Sequence, residues 1–194
     1  MTQFACSVFV SMLMSLVLLP TTAFAAEDLT GVVISTVSYL PEGRDEKADL
    51  YVPEKFPDGK KLPAVVIIHG GGFVGGKRNA ARELNIGSNL VKAGYVALSI
   101  DYLLAKPDQP SWPQNLHDCK TAVRWLRAHA DQYHIDSSNI GVIGGSAGGT
   151  LAALVTLCGP DAGLDPDKPY GEHSCEVRCG CSRVDMRMEC GFGW

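Results

Sequence analysis

"NIGVIGGSAGGTLAALV", Asn139 to Val155, is the stretch that decides the fold: an apolar run, a serine set among glycines, and a run of small and aliphatic residues. Gly144-Gly145-Ser146-Ala147-Gly148 matches G-x-S-x-G, in which the serine occupies a strained turn between a strand and a helix and its hydroxyl stands above the sheet. The neighbours must be small because the turn is sharp. Five letters alone are a weak signal, and an idle serine in a glycine-rich turn is the competing reading. Their placement, directly after "IGVIG" and before "TLAALVTL", supplies the strand and helix that the motif requires.

Working outward, "LPAVVIIH" (62–69), "YVALSID" (95–101) and "IGVIG" (140–144) are apolar runs of the kind found in strands buried on both faces of a parallel sheet. Residues 80–93 predict a helix closed by Gly94. From Pro113 to Tyr133, Leu116, Cys119, Val123, Leu126 and Ala130 recur by threes and fours. That spacing predicts an amphipathic helix with Lys120, Arg124, Arg127 and Asp131 outward, and Ser111 and Gln114 have capping-box spacing at its start. "GVVISTVSY" (31–39) and "KADLYV" (47–52) read as a leading hairpin. Strands alternating with helices imply a mostly parallel α/β sheet with helices on both faces, a three-layer sandwich.

At 194 residues, 46% of them apolar, the chain suits one domain, and a formal net charge of -4 with interspersed signs offers no basic face to nucleic acid. Val8 to Leu19 is an apolar run ended by Pro20, and Ala23-Phe24-Ala25 is an A-x-A cleavage signal. Residues 1–25 therefore read as a signal peptide, although "MTQFACS" lacks the usual basic residue, with a mature chain from Ala26 that is secreted or periplasmic. Such a run covers only about 18 Å as helix against roughly 30 Å of hydrocarbon, so no stable membrane span is expected.

His69-Gly70-Gly71-Gly72-Phe73 ends the first buried strand, and such a glycine run lets backbone N–H groups turn toward a bound oxyanion. The residue after the nucleophile, Ala147, would add its own N–H. The same glycines formally satisfy G-x-G-x-x-G (Gly70, Gly72, Gly75) and G-x-x-x-x-G-K (Gly71 to Lys77). Arg78 stands where a P-loop needs Ser or Thr for magnesium, which argues against nucleotide binding.

"HGGGF", "YVALSIDYLLA", "HDCKTAVRWLRAHADQYHID" and "IGVIGGSAGGTLAAL", in this order, resemble the α/β-hydrolase superfamily, specifically the HGGG esterases related to hormone-sensitive lipase and the bacterial feruloyl or acetyl-xylan esterases. The resemblance covers roughly residues 30–170. It implies carboxylic-ester hydrolysis through a serine acyl-enzyme, without cofactor or metal, on a small-molecule or carbohydrate-linked ester. Ser146 would be the nucleophile, and the N–H groups of Gly71, Gly72 and Ala147 the oxyanion donors. His69 and Gly70 would brace the loop, with Gly144 and Gly148 shaping the elbow. Where many relatives have Asp-Tyr-Arg-Leu, this chain has Asp101-Tyr102-Leu103-Leu104, so an arginine-centred network is not expected there.

In this fold the acid and then the base follow the serine on loops after later strands. Only 48 of the 194 residues follow Ser146, and His173 is the one histidine among them. Asp161, Asp165 and Asp167 precede it, but no strand separates them from it, so His173 reads as a loop residue and the triad acid and base as absent. His117, His129 and His134 read as surface residues. Cys119 and Cys158 read as small buried hydrophobes on helices. Residues 26–171 are thus expected to form the first part of the hydrolase domain, with the last strands missing. Residues 172–194, with Cys175, Cys179, Cys181 and Cys190, read as an atypical tail that does not continue the sheet, through frameshift or truncation. The alternative is a non-catalytic exported binding or pseudo-enzyme domain held by that cysteine-rich tail.

Overall fold

The structure is a computed structural model and describes residues 28–183. The signal-peptide reading of 1–25 and the cysteine at 190 lie outside the described residues. The leading hairpin is β1 (Val32–Val37) and β2 (Ala48–Pro53), antiparallel to each other. β3 (Leu62–Ile68), β4 (Val96–Ile100) and β5 (Ile135–Gly145) follow, separated by α1 (Ala81–Lys92) and α2 (Gln114–Ala128). α3 (Ala147–Leu157) leaves β5 through Ser146, and β6 (Cys179–Arg183) closes the sheet in the order β1-β2-β4-β3-β5-β6. β2 runs antiparallel to β4, while β3 is parallel to both β4 and β5. This is an α/β-hydrolase fold.

Side-chain alternation along β3 assigns the layers. Ala64, Val66 and Ile68 join Leu116, Val123 and Leu126 of α2 and Leu151 and Val155 of α3 in the main core. Ile67 turns to the other face, where Tyr51 and Ala97 meet Val91 of α1. Gly87, in the middle of α1, costs helix propensity but admits the Tyr51 ring, since a Cβ there would stand 2.7 Å from it. α1 ends in a Schellman motif: Tyr95 N–H reaches Leu90 O at 3.0 Å, Gly94 N–H reaches Val91 O at 2.9 Å, and Gly94 sits at φ +87.

Three expectations are corrected. Cys179–Arg183 does continue the sheet, pairing in parallel with Gly141–Gly145 of β5. Its residues lack an apolar pattern because glycine and cysteine fit here by size: Gly180 lies against Thr156, and Gly141 against Cys179. Second, α2 is not capped by a Ser111–Gln114 box. Pro113 occupies the N-cap, and the Gln114 amide donates to Asp118 at 2.8 Å. Asn115 takes the reciprocal role, receiving the Leu116 N–H and donating to Ser111 Oγ.

The third correction concerns the basic stripe of α2. Lys120 and Arg124 are buried rather than outward, because the segment after α3 folds back across that helix. Lys120 Nζ donates to Cys158 O at 2.7 Å and pairs with Asp165. Arg124 donates to Pro166 O, and Arg127 donates to Ser174 O and Glu176 O, each at 2.5 Å. Asp131 is exposed as expected and pairs with Lys61. Cys158 is half-buried at the end of α3, and Cys119, Cys158, Cys175 and Cys179 are free thiols.

Candidate active site

Parallel strands deliver their C-terminal ends to one edge, and there β3 and β5 present the glycine loop and the serine side by side. Ser146 has φ +54 and ψ -123, a conformation costly for any residue with a Cβ. It is exposed, while Gly145 and Ala147 on either side are buried. The turn can be this tight because its flanks lack side chains: a Cβ on Gly144 would stand 2.1 Å from Gly148 O, and one on Gly148 would stand 2.3 Å from Ile68 O. Glycine at 144 and at 148 is thus what lets the chain turn this tightly at Ser146.

The loop after β3 abuts the elbow. A Cβ on Gly70 would approach Gly145 O to 2.8 Å and Ser146 Cβ to 3.5 Å. Gly71 sits at φ +126, which only glycine adopts without strain, and its carbonyl receives the N–H groups of Val74 and Gly75 in a closed turn. No hydrogen bond among the described residues uses the N–H of Gly71, Gly72 or Ala147. Those three N–H groups therefore have no backbone partner among the described residues.

His69 is 2% exposed. Its Nδ1 lies 2.7 Å from Gly70 O; a carbonyl can only accept, so Nδ1 carries the hydrogen. Its ring stacks on Tyr102 at 4.4 Å, and the Tyr102 hydroxyl donates to His69 O at 2.9 Å. Burial pushes the Tyr102 phenol well above its ordinary value, which keeps that donor protonated. Gly76 completes the clamp, since a Cβ there would overlap Nδ1 at 2.3 Å.

Sequence reasoning missed the charged groups that hold this edge. An arginine network does exist, but Arg78 centres it from the other side of the loop. Its backbone N–H and guanidinium both engage Asp101, and Nε reaches Asp49 at 2.9 Å. Burial alone would lower the Arg78 pKa, yet the two carboxylates hold it above the ordinary value. Asp118, wholly buried, receives two N–H groups of Arg44 and the backbone N–H of Leu103. The one available signal was Asp101 at a strand end, with basic residues downstream of the glycines.

Among the described residues, no side chain hydrogen-bonds the Ser146 hydroxyl. His173 lies in a turn with Nε2 3.5 Å from Glu172. His117 is half-buried, His134 is exposed, and His129 stacks on Trp125 at 4.3 Å. No helix among the described residues is long and apolar enough to cross a membrane.

The BD-FAE family model matches residues 48–182, from β2 through β6. Esterase LipQ of Mycobacterium tuberculosis is 34% identical over 133 residues, covering 68% of this chain and 31% of that protein. Esterase LipC of the same organism is 38% identical over 112 residues, 58% of this chain and 27% of that protein. The solved esterase Est2 of Thermogutta terrifontis superposes with TM-score 0.64 at 27% identity, over 77% of this chain and 51% of its own. A structure titled bacterial heroin esterase gives TM-score 0.61 at 30% identity, over 73% and 44%. The chain thus spans about a third of the length of the curated relatives it matches. A family match over most of the chain, together with an elbow and glycine loop of the required geometry, makes this chain a member of the BD-FAE family of α/β-hydrolases.

Proposed function

We propose that this chain carries the nucleophile and oxyanion half of a serine carboxylic-ester hydrolase. The observation that supports it most is Ser146 held at φ +54 and exposed beside three unused backbone N–H groups. In the reaction, Ser146 Oγ attacks the ester carbonyl carbon, and the carbonyl oxygen takes up the electron pair as an oxyanion facing Gly71, Gly72 and Ala147. Collapse expels the alcohol, which leaves with the serine proton, and water then releases the acid from the acyl-serine. Each oxyanion donor of this kind is worth roughly 10²–10³ in kcat.

None of the described histidines contacts Ser146, so the base that would take its proton is not among them. Without a paired base, kcat falls by about 10⁶, leaving roughly 10³–10⁴ over water. The substrates would be small or carbohydrate-linked esters, met outside the cytoplasm after cleavage near Ala25. The apolar run Val8–Leu19 followed by Ala23-Phe24-Ala25 supports the export. N-terminal sequencing of exported product should begin at Ala26. Release of p-nitrophenol from a short-chain ester should be slow, saturable and abolished in Ser146→Ala; equal rates in both proteins would sink the reading.

A further inference from the structure

Gly145 precedes the nucleophile, and the space that a side chain there would fill is taken by a guanidinium. A Cβ built on Gly145 would stand 1.9 Å from Arg82 Nη1 and 3.2 Å from Nη2. Consecutive Cα atoms are about 3.8 Å apart, so Nη1 lies no more than about 7 Å from the Ser146 Cα. Arg82 belongs to the first turn of α1, and its neighbour fixes it: Nε and Nη2 each lie 2.8 Å from Glu83 Oε1. The Glu83 side chain is 4% exposed and the Arg82 side chain 44%. The pair therefore anchors one edge of the guanidinium and leaves Nη1, which no hydrogen bond among the described residues uses, facing the elbow.

A free arginine side chain costs on the order of 2 kcal/mol in rotamer entropy when a ligand orders it. Here Glu83 does the ordering before any ligand arrives, which lowers the cost of recognition. The other bases of this loop are disposed differently: Arg78 is committed to Asp49 and Asp101, and Lys77 is exposed. A carboxylate three or four bonds from the ester carbonyl, about 4–5 Å away, would reach from Ser146 toward Nη1.

We propose that Arg82 is a specificity-determining residue, forming an anionic subsite beside Ser146 for esters with a carboxylate two or three carbons from the ester carbonyl, the monoesters of short dicarboxylic acids. The proposal rests on the reading of Ser146 as the reacting residue, and its test separates the two. In the full chain carrying Ser146→Ala, ligand-observed NMR titrations compare monomethyl succinate with dimethyl succinate. The monoester should bind about fivefold more tightly, the effect of one partly exposed charge pair. Arg82→Gln should erase that preference, Arg82→Lys should keep part of it, and Lys77→Ala should leave it intact. A missing preference, or one that survives Arg82→Gln in a protein of unchanged circular dichroism, overturns the subsite. In the unsubstituted chain, p-nitrophenyl hydrogen succinate and p-nitrophenyl butyrate supply the second arm. Ser146-dependent hydrolysis without an Arg82-dependent preference leaves the esterase reading standing and removes the subsite. Arg82-dependent binding without Ser146-dependent hydrolysis does the reverse.

Discussion

The two faces of the sheet are built to different densities. Under α2 and α3 lies a continuous core that includes Leu50, Val66, Leu98, Ile100, Leu116 and Leu126, all essentially inaccessible. Under α1, among the described residues, only Tyr51, Ile67, Val91 and Ala97 are buried together. Beside that cluster the sheet opens into an apolar hollow of about 590 Å³ lined by Pro63, Val65, Leu90, Tyr95, Ile143 and Cys181. The elbow sits between these faces. Its backbone is propped by the dense one, through α3, whereas the open one contributes the Arg82 guanidinium. Regions with fewer buried contacts open at lower free energy, so the α1 face should exchange amide hydrogens first.

The sharpest way to break this comparison is at Lys120, which is 1% exposed and ties α2 to Cys158 O and Asp165. Lys120→Met takes the buried ammonium away from Cys158 O and from the partly buried Asp165 carboxylate, and should cost about 3–5 kcal/mol in urea unfolding. Next, Leu126→Ala in the dense core should lose about 2–5 kcal/mol, while Leu90→Ala beside the hollow loses about 1 kcal/mol or less. Equal losses would mean that the faces do not differ. Ser146→Gly should act in the opposite direction, gaining about 1 kcal/mol by relieving the positive φ at the price of ester turnover.

The smallest effect is alkaline and tests both faces. Burial pushes the Cys175 thiol, at the dense face, up to about 11 from its ordinary 9.0. Burial likewise pushes the Tyr51 phenol, under α1, up to about 12 from 10.0. In each case the folded state resists deprotonation. The stability these groups contribute is therefore intact below the unfolded values and lost as pH climbs through the folded ones. At about pH 9.5 the loss should stay below about 1 kcal/mol. Cys175→Ala should flatten the stability profile between pH 9 and 11, and Tyr51→Phe between 10 and 12.

Much of this was legible in the sequence because apolar runs and glycines report backbone needs directly. "LPAVVII", "VALSI" and the segment before Ser146 became β3, β4 and β5, and the required glycines at 144 and 148 are those whose missing Cβ atoms make room. What was not legible depends on partners distant in sequence. Lys120 and Arg124 have the spacing of a solvated stripe, and only the returning segment near Asp165 and Pro166 turns them inward. Cys179–Arg183 carries no strand pattern of its own; it pairs because β5 offers an edge and small residues fit between Thr156 and Cys179. Arg82 is unremarkable in sequence, and its importance comes from Gly145 having no side chain.

The three basic residues of α2 grip the segment from Cys158 to Glu176 chiefly by its peptide oxygens: Lys120 at Cys158, Arg124 at Pro166, Arg127 at Ser174 and Glu176. Every residue type supplies that acceptor. Apart from Asp165, which Lys120 also pairs with, and the buried Pro166 and Cys175, the segment is therefore held by where its backbone passes rather than by which side chains it carries. Its exposed side chains are free to drift, and can be recruited to new surfaces, without releasing the helix beneath.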